Sequence, residues 1–304
     1  MHDPKKIIKF RQNTLTERLF CREHWLDLSH GSIVMGILNI TPDSFYDGGK
    51  YKTISQALKH SDQMLADGAR IIDVGGASSR PSGHVYGAGA DPVPENEEIR
   101  RVIPVVKAIR KSMPEAVISV DTFSPVVAKA ALDSGAHMIN DILGMQNGTL
   151  SAQYASDVGA AYVVMHSVEL AGKLFQTSEY QDVVNQVCGM LNLVAKQAKE
   201  LGVKSVIIDP GFGFGKHHQD NLKLIQQLNV ITELGYPILV GISRKSTVGQ
   251  VLSDDDVLAP VEDRLYGSLG MTAIAVCQGA QIIRTHDVRE TVQMIKAIEA
   301  VIGV

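Results

Sequence analysis

The sequence predicts the α/β class and, within it, a (β/α)₈ barrel of the TIM type with a short N-terminal extension. Short runs rich in Ile and Val alternate with longer segments of helical period, and eight such pairs fit into about 270 residues. Alternating strands and helices imply parallel pairing. Near-continuous apolar runs are typical of strands that are covered on both faces. An open, doubly wound sheet is the alternative.

The predicted strands are eight runs that each lead into a helical segment. In chain order they are IVMGILN (33–39), ARIIDVGG (69–76), AVISVDT (116–122), HMINDI (137–142), AYVVMHS (161–167), SVIIDPG (205–211), PILVGISR (237–244) and QIIRTHD (281–287). Amphipathic segments such as 54–68 and 95–113 separate them. Glycine, a common helix stop, closes several of these segments, at Gly68, Gly135, Gly159, Gly202, Gly235 and Gly279. We expect an extension over 1–32 and one barrel domain over 33–304.

The amino-acid composition argues against several classes of binding partner. The net charge of −4, from 29 basic and 33 acidic side chains, argues against nucleic acid and acidic membranes as partners. No apolar run approaches the roughly 18 residues that a membrane span needs, and the first residues lack the apolar core of a secretory signal. Three cysteines without a C-x-x-C pair indicate reduced thiols. We therefore expect a cytoplasmic domain of the size of an enzyme.

Polar side chains mark the ends of the predicted strands. They are Asn39, Asp73, Asp121, Asn140, Asp141, His166, Asp209, Arg244, Lys245, Arg284 and His286. In a barrel all these ends meet at one rim, where active sites lie. Helix capping or a satisfied buried group is an equally good interpretation of Asp73 or Asp141 alone. A polar group at the end of all eight strands is better explained by a binding site, because unpaired buried groups are unfavourable.

The segment IIDPGFGFGK (207–216) lacks the spacing of a phosphate-binding P-loop and the hydroxyl that follows the P-loop lysine. It offers instead a strand-end carboxylate, Asp209, and a glycine-rich turn that carries Phe212 and Phe214. Glycines permit tight backbone paths beside a ligand. The aromatic rings add flat apolar surface, so the segment suits a planar heterocycle.

Three inward-pointing groups from separate strands match the edge of such a heterocycle. The carboxylates of Asp121 and Asp209 can each accept two parallel hydrogen bonds, as from a 2-aminopyrimidinone, and Asn140 can both donate and accept. A metal site built from these carboxylates would need a closer cluster than sequence can show. The rim is therefore predicted to bind a polar, nitrogen-rich ring.

Basic groups are concentrated on the last two strands. GISRKS (241–246) contains Arg244, Lys245 and Ser246, while Arg284 and His286 share one face of their strand because alternate residues point the same way. The loops after strands 7 and 8 form the usual phosphate site of barrels. A solvated surface group is the alternative for Arg284. We expect this wall to hold an anion.

These segments resemble those of dihydropteroate synthases, the folate-pathway enzymes that sulfonamides target. The similar motifs are MGILNITPDSFYDGG (35–49), DVGGASSRP (73–81), SVDT (119–122), IND (139–141), IIDPGFGFGK (207–216), GISRKS (241–246) and IIRTHDV (282–288). The resemblance covers roughly 33–300 and implies a (β/α)₈ barrel. It implies a Mg²⁺-assisted transferase that joins 6-hydroxymethyl-7,8-dihydropterin diphosphate to 4-aminobenzoate and releases pyrophosphate.

The resemblance also implies roles for individual residues. Those for the pterin are Asp121, Asn140, Met165, Asp209 and Lys245. Those for the diphosphate are Asn39, Arg80, Arg284 and His286, with Asn39 at the Mg²⁺. Those for 4-aminobenzoate are Ser79, Arg80, Pro81, Phe214, Lys245 and Ser246. The catalytic set is Asp121, Asp209, Lys245, Arg284, His286 and Asp47, the last on a loop over 41–49 that orders over the substrates.

The expected chemistry is mainly positioning and charge stabilisation. Arg284 and His286 would stabilise the departing pyrophosphate, and Asp121 and Asp209 a cationic pterin. The neutral aniline nitrogen needs no strong base. The resemblance further implies a homodimer, for which the apolar helix 264–280 is suitable, although burial against the barrel explains that helix equally well.

Two segments depart from the family pattern. The residues SGHVYGA (82–88) lengthen a loop beside the expected 4-aminobenzoate site, either as a tolerated insertion or as a change that alters sulfonamide binding. The fifth strand ends in MHS (165–167) and continues unlike most synthases to residue 176, and some sulfonamide-insensitive members carry the same three residues. Insensitivity to sulfonamides is therefore a hypothesis.

Two other functions fit the same barrel. A pterin-dependent methyltransferase domain would share the ring-reading Asp and Asn residues but lack the S-R-P and S-R-K-S segments, which this sequence has. A non-catalytic pterin-binding paralogue would be expected to lose charges at the rim, and none is lost. Pyrophosphate release would distinguish the synthase from both.

Overall fold

The computed structural model describes residues 18–40, 54–77, 93–167, 169–170, 173–174, 179–253 and 257–302. Within them the strands are β1 Arg18–Cys21, β2 His24–Asp27, β3 Ile33–Asn39, β4 Ile71–Gly75, β5 Val117–Asp121, β6 Met138–Asp141, β7 Ala161–Met165, β8 Glu169–Leu170, β9 Lys173–Leu174, β10 Val206–Asp209, β11 Leu239–Val240 and β12 Ile282–Thr285. The helices are α1 Ile54–Ala66, α2 Glu95–Ser112, α3 Pro125–Asp133, α4 Leu150–Val158, α5 Val183–Glu200, α6 His218–Gln226, α7 Leu228–Thr232, α8 Ser246–Val251, α9 Leu265–Cys277 and α10 Val288–Ile302.

Eight parallel strands form a nearly closed barrel, in the order β10-β7-β6-β5-β4-β3-β12-β11. The last gap is bridged where Ile208 pairs with Ile238 and donates its N–H to Pro237 O at 2.9 Å. Each of the eight predicted strands is present, so the predicted barrel is confirmed and the open sheet is wrong. The six glycine stops also behave as predicted, since all six adopt positive φ; Gly159, at +70°, caps α4.

A hairpin from the N-terminal part of the chain covers one end of the barrel. β1 and β2 pair antiparallel, and Leu19, Cys21, Leu26 and Leu28 are buried against residues from the amino ends of the barrel strands. Full burial of each leucine contributes about 1.5–3 kcal/mol. This end is filled by apolar side chains, so the carboxyl end is where polar groups can meet a ligand.

The longer helices surround the barrel and bury one face each. On α2, for example, Val102, Val105, Val106 and Ile109 belong to the cluster that packs outside the strands. The spacing of three and four residues is that of a helix buried on one side. None of the described helices is both long and apolar enough to span a membrane.

Candidate active site

One row of polar residues crosses four adjacent strands at the carboxyl end of the barrel. The strand register places Asn39 beside Gly75, Gly75 beside Asp121, and Asp121 beside Asn140. These positions follow one another across β3, β4, β5 and β6. Three predicted site residues thus lie in neighbouring positions, although they are distant in sequence.

Arg284 joins this row from β12 through two ion pairs. Its Nε donates to Asp73 Oδ2 at 2.6 Å, and a terminal nitrogen donates to Asp121 Oδ2 at 2.8 Å. Burial lowers the pKa of Arg284, but Asp73 and Asp121 outweigh it and the pKa is raised. The solvated-surface interpretation of Arg284 is therefore wrong, because its side chain is largely buried between two carboxylates.

Asp121 has an unusual protonation equilibrium. Burial raises its pKa to about 7, Arg284 opposes the rise, and the nearby charge of Asp73 adds to it. The protonation state of a carboxyl group with a pKa near 7 changes readily when a ligand binds to it. A ligand that donates N–H groups to Asp121 favours the carboxylate form.

The second half of the site pairs a lysine with a carboxylate. Burial lowers the pKa of Lys245 to about 7, against the attraction of Asp209, and burial raises the pKa of Asp209, against that of Lys245. Lys245 Nζ donates to Phe212 O and lies 4.2 Å from the centre of the Phe214 ring. Asp209 Oδ1 also accepts from Gly211 N–H at 2.7 Å. Cation and carboxylate therefore face one space beside the aromatic rings.

Two glycines of the 207–216 segment are required because the backbone there passes very close to neighbouring atoms. At Gly213, φ is +81° and a Cβ would lie 2.8 Å from Lys245 Cδ. At Gly211, φ is +69° and a Cβ would lie 1.9 Å from His166 O. The turn therefore packs its backbone directly against Lys245 and the residue that follows β7, which agrees with the predicted tight backbone path of this segment.

Lys216, the closing lysine of that segment, stabilises the turn rather than facing a ligand. Its Nζ donates to three carbonyl oxygens, those of Gly211 and Phe214 at 2.9 Å and that of His166 at 3.2 Å. The side chain is buried. With three donors on three acceptors, the ammonium group is saturated.

His286 lies at the end of β12, beside Ser243. Its Nδ1 is 3.0 Å from Ser243 Oγ, and the same oxygen accepts the backbone N–H of His286 at 3.2 Å. Burial and the charge of Arg284 lower the pKa of His286 to about 4, so the ring is neutral at pH 7. Ser243 was not among the predicted site residues, because a serine within GISRKS carries no signal of its own.

The structure separates two neighbouring cations that the sequence grouped together. Arg244, whose φ is +56°, turns away from Lys245 and forms a bidentate pair with Asp287. Its other donors bind the carbonyls of Val261 and Glu262. Arg244 therefore joins loops, and an anion-binding role for it is wrong.

Apolar side chains and one hydroxyl complete the described part of the rim. Met165 and Phe214 belong to a buried cluster with Ile142 and Leu143, against which Phe123 packs. Ser246, the first residue of α8, is buried, and its Oγ has no hydrogen-bond partner among the described residues.

The environments of Asp73 and Asp141 differ. For both carboxylates the sequence left open whether they belong to the site or are satisfied structural groups. Asp141 is satisfied by the backbone N–H groups of Leu143 and Met145, both at 3.0 Å, and by the Tyr162 hydroxyl at 2.5 Å. Asp141 is therefore a structural group, which agrees with its alternative interpretation as a satisfied buried group. Asp73 binds Arg284 and Asn140 and is part of the site.

Comparisons with known proteins agree on one family. A model described as "Pterin binding enzyme" matches residues 35–286. The dihydropteroate synthase of Escherichia coli K12 is 42% identical over 289 residues, which cover 94% of this chain and 97% of the relative. That of Bacillus subtilis is 38% identical, with 95% of each chain covered. The chain belongs to the dihydropteroate synthase family.

Solved synthase structures share the whole barrel. The Xanthomonas albilineans synthase with 4-aminobenzoic acid has a TM-score of 0.84 at 37% identity, and the match covers 95% of this chain and 99% of that one. The Yersinia pestis synthase with a sulfonamide drug complex has a TM-score of 0.85 at 40% identity, covering 94% and 100%. These matches support the predicted synthase and give no support to a methyltransferase or a non-catalytic paralogue.

Four residues with a predicted role in the synthase lie outside the described residues. They are Asp47, Ser79, Arg80 and Pro81. The lengthened loop 82–88 and most of the unusual segment after Ser167 also lie there. Their placement stays a prediction from the resemblance.

A small cradle beside Asn39 fits the cation that the family implies. Gly75 has no side chain, and a Cβ there would lie 3.3 Å from Asn39 Oδ1 and 3.9 Å from Asp121 Oδ2. Amide and carboxylate oxygens are the ligands that Mg²⁺ prefers. The donor set around this space therefore suits Mg²⁺.

A second cluster, at the opposite end of the barrel, is a poorer cation site. Potential ligand atoms of Glu23, His24 and His137 lie within 4.8 Å of one another. However, His137 Nδ1 accepts the N–H of Ile118 at 2.9 Å, which leaves the ring proton on Nε2, the atom facing Glu23. The carboxylate of Glu23 is already paired with Arg110. We interpret the cluster as a link between the hairpin and the barrel.

Proposed function

We propose that the chain catalyses the condensation of 6-hydroxymethyl-7,8-dihydropterin diphosphate with 4-aminobenzoate, giving 7,8-dihydropteroate and pyrophosphate in folate biosynthesis. The observation that carries the proposal is the bridge from Arg284 to Asp121, which puts an anion-binding group beside a ring-reading carboxylate. Relatives support it, since a Thermus thermophilus synthase is described in complex with 6HMPPP and a Xanthomonas albilineans synthase in complex with 7,8-dihydropteroate.

The pterin ring would lie between the two halves of the site. Asp121 and Asp209 accept N–H groups from opposite parts of the ring, and Asn140 both donates and accepts. Met165 and Phe214 supply the buried apolar surface beside it. When the C–O bond to the diphosphate breaks, the two carboxylates stabilise the positive charge that spreads into the ring.

The departing diphosphate would be bound by Arg284 and His286. Ser243 Oγ accepts a backbone N–H, so its own proton can go to His286 Nδ1, which leaves the other ring nitrogen as an N–H donor. The neutral N–H donor of His286 and the guanidinium of Arg284 would together stabilise the negative charge that develops on the leaving group. Neither needs to transfer a proton.

Mg²⁺ is the cofactor that we propose for the diphosphate, held by Asn39. When bound, it would neutralise part of the diphosphate charge. The cradle over Gly75 supports this assignment because it places two oxygen atoms near a point that no side chain of the described residues fills.

The second substrate, 4-aminobenzoate, would lie toward Phe214, Lys245 and Ser246. The Lys245 ammonium group above the Phe214 ring can pair with the benzoate carboxylate, and the Ser246 hydroxyl can donate to it. Ser79, Arg80, Pro81 and Asp47 are proposed to complete this subsite on the strength of the resemblance. The neutral amine then forms the C–N bond that replaces the broken C–O bond, and its nitrogen loses one proton to the released pyrophosphate or to water. Positioning supplies most of the rate.

We further propose a homodimer in the cytoplasm. An exposed stripe on α9 is formed by Tyr266, Gly270 and Ile274, at helical spacing of four residues, and Tyr266 and Ile274 are 82% and 51% exposed. Apolar residues this exposed favour a partner. The three cysteines are free thiols, as a reducing compartment favours.

Turnover with and without each substrate tests the function. Pyrophosphate release that needs both the dihydropterin diphosphate and 4-aminobenzoate, and that falls at least about 100-fold in Asp209→Asn, is the expected result. Binding heat without turnover would point to a binding protein. Product formation that depends on a methyl-folate would point to a methyltransferase.

A further inference from the structure

Asp73 is a buried carboxylate that none of the proposed substrate contacts uses. It lies in the middle of β4, is 0% exposed, and has polar partners on both sides. In the sheet order β6-β5-β4-β3-β12, its strand is two strands from Asn140 and two strands from Arg284. Its side chain therefore stands midway between a pterin-reading residue and a diphosphate-binding residue.

We propose that Asp73 is a positioning residue. It holds the amide of Asn140, which binds the pterin, and the guanidinium of Arg284, which binds the diphosphate, in a fixed relative position. A single oxygen, Asp73 Oδ2, accepts both from Arg284 Nε at 2.6 Å and from Asn140 Nδ2 at 3.2 Å. Because both donors meet at one atom, movement of either displaces the acceptor of the other. The inference rests on the proposed function for the identity of the two ligand halves.

The orientation of Arg284 supports this role. The guanidinium plane is fixed by two donors, Nε on Asp73 and one terminal nitrogen on Asp121. The other terminal nitrogen has no hydrogen-bond partner within the described part of the chain and is left for an anion. If Asp121 turns toward the pterin, Asp73 still holds Arg284 in place and still balances its charge.

The arrangement is not explained by stability alone. Asp73 Oδ1 is buried without a hydrogen-bond partner in the described residues, and so is Ser119 Oγ, its neighbour in the strand register. A buried polar atom without a hydrogen-bond partner is unfavourable for stability. A functional role is one of the explanations for an unsatisfied buried group of this kind.

Two fragments of the substrate test the effect of Asp73 on Arg284 and on Asn140 separately. Pyrophosphate with Mg²⁺ reports on Arg284, and 6-hydroxymethyl-7,8-dihydropterin without its diphosphate reports on Asn140. Asp73 touches neither ligand, so a purely structural role would leave both dissociation constants of the folded fraction unchanged. In Asp73→Asn we expect both to rise at least about fivefold, with the KM for 4-aminobenzoate unchanged.

The matched control is Asp141→Asn, which alters another buried carboxylate near the same rim. It should lower the melting temperature without raising either dissociation constant, since Asp141 binds backbone and Tyr162. If Asp73→Asn weakens only one fragment, or neither, the proposal is overturned. Because the titrations need no turnover, they decide the inference even if the synthase assay fails.

A double variant covers the case in which Asp73→Asn does not fold. Asp73→Asn with Arg284→Gln removes both charges of the Arg284–Asp73 pair, so Asp73 is not left as an unpaired charge. Asp121 loses its ion pair with Arg284 both in this variant and in Arg284→Gln alone, so the comparison between the two is unaffected. Compared with Arg284→Gln alone, it should weaken pyrophosphate less than about twofold, because Asp73 acts on that ligand only through Arg284. A further loss of more than about twofold would overturn the proposal.

Discussion

Arg244 and Asp287 form a bidentate ion pair, at 2.9 and 2.7 Å, immediately beside two residues of the site. Lys245 follows the arginine in the chain and His286 precedes the aspartate. One buried pair thus joins the loops after β11 and β12. The two cations and the imidazole that we assign to the substrates depend on the relative position of these loops.

The first prediction is that Arg244→Gln destabilises the fold by about 3–5 kcal/mol, because it leaves Asp287, whose side chain is only 12% exposed, without its partner. Urea unfolding measures the change. The control is Lys129→Gln, which breaks the exposed pair with Asp133 on α3 and should destabilise the fold much less, because solvent screens the pair. Equal losses in the two variants would contradict a structural role for Arg244.

A second prediction concerns the close approach of backbone to Lys245. Gly213→Ala adds a Cβ 2.8 Å from Lys245 Cδ, at a φ of +81°. We expect kcat/KM for 4-aminobenzoate to fall at least about tenfold, because the lysine must move.

Gly159→Ala is the matched control for Gly213→Ala. Its φ is +70°, but its Cβ would lie more than 4 Å from the other atoms in the described part of the chain. Backbone strain of about 1–2 kcal/mol is common to both variants, so both should lose similar stability while only Gly213→Ala loses activity. Wild-type kinetics in Gly213→Ala would show that Lys245 can shift freely.

The barrel was predictable because its signal is repeated eight times. Each strand contributes the same evidence, an apolar run followed by a polar end, and an error in one run leaves the others intact. The hairpin was not predicted, since four-residue strands such as Arg18–Cys21 carry too little pattern. Burial of Leu19 and Leu26 under the barrel depends on tertiary contacts.

Site residues were predictable as a set and less so one by one. Inward alternation on β4 places Asp73 in line with Gly75, and this signal could have identified it as a site residue. Arg244 could not be separated from Lys245 by sequence, because a left-handed φ of +56° sends the two neighbours in different directions. Lys216 ends a ligand-like motif and yet binds three carbonyls, a choice that only the path of the turn decides.

The third prediction tests the α9 stripe. Ile274→Glu puts a charge in the middle of the exposed stripe and should convert a homodimer into a monomer, as measured by light scattering after gel filtration. Leu193→Glu is the control, because Leu193 is 68% exposed on α5, a different helix. A dimer that persists in Ile274→Glu, or one that is lost in Leu193→Glu, would place the interface elsewhere.

The fourth prediction concerns sulfonamides. If the lengthened loop 82–88 and the MHS sequence at 165–167 alter the 4-aminobenzoate subsite, the wild type resists sulfonamides and deletion of 82–88 lowers their inhibition constant. The KM for dihydropterin diphosphate serves as the internal control and should stay the same. An ordinary low-micromolar inhibition constant in the wild type would mean that the loop is a tolerated insertion.

The fifth prediction is a pH dependence that comes from Lys216. Burial lowers its pKa to about 7 from the ordinary value of 10.5. Between these two pH values the unfolded chain binds more protons than the folded chain, so the contribution of Lys216 makes the protein more stable as pH rises. Lys216→Met removes this contribution because methionine does not titrate.

The free energy of unfolding of the wild type, minus that of Lys216→Met, should therefore increase between about pH 7.5 and 9.5. Denaturant unfolding at several pH values measures this difference directly. Lys196→Met, which removes a lysine at an exposed position on α5, is the control with which the Lys216→Met difference is compared. A flat difference for Lys216→Met would mean that its three carbonyl partners keep the ammonium form throughout, because hydrogen bonds to the charged form offset its burial.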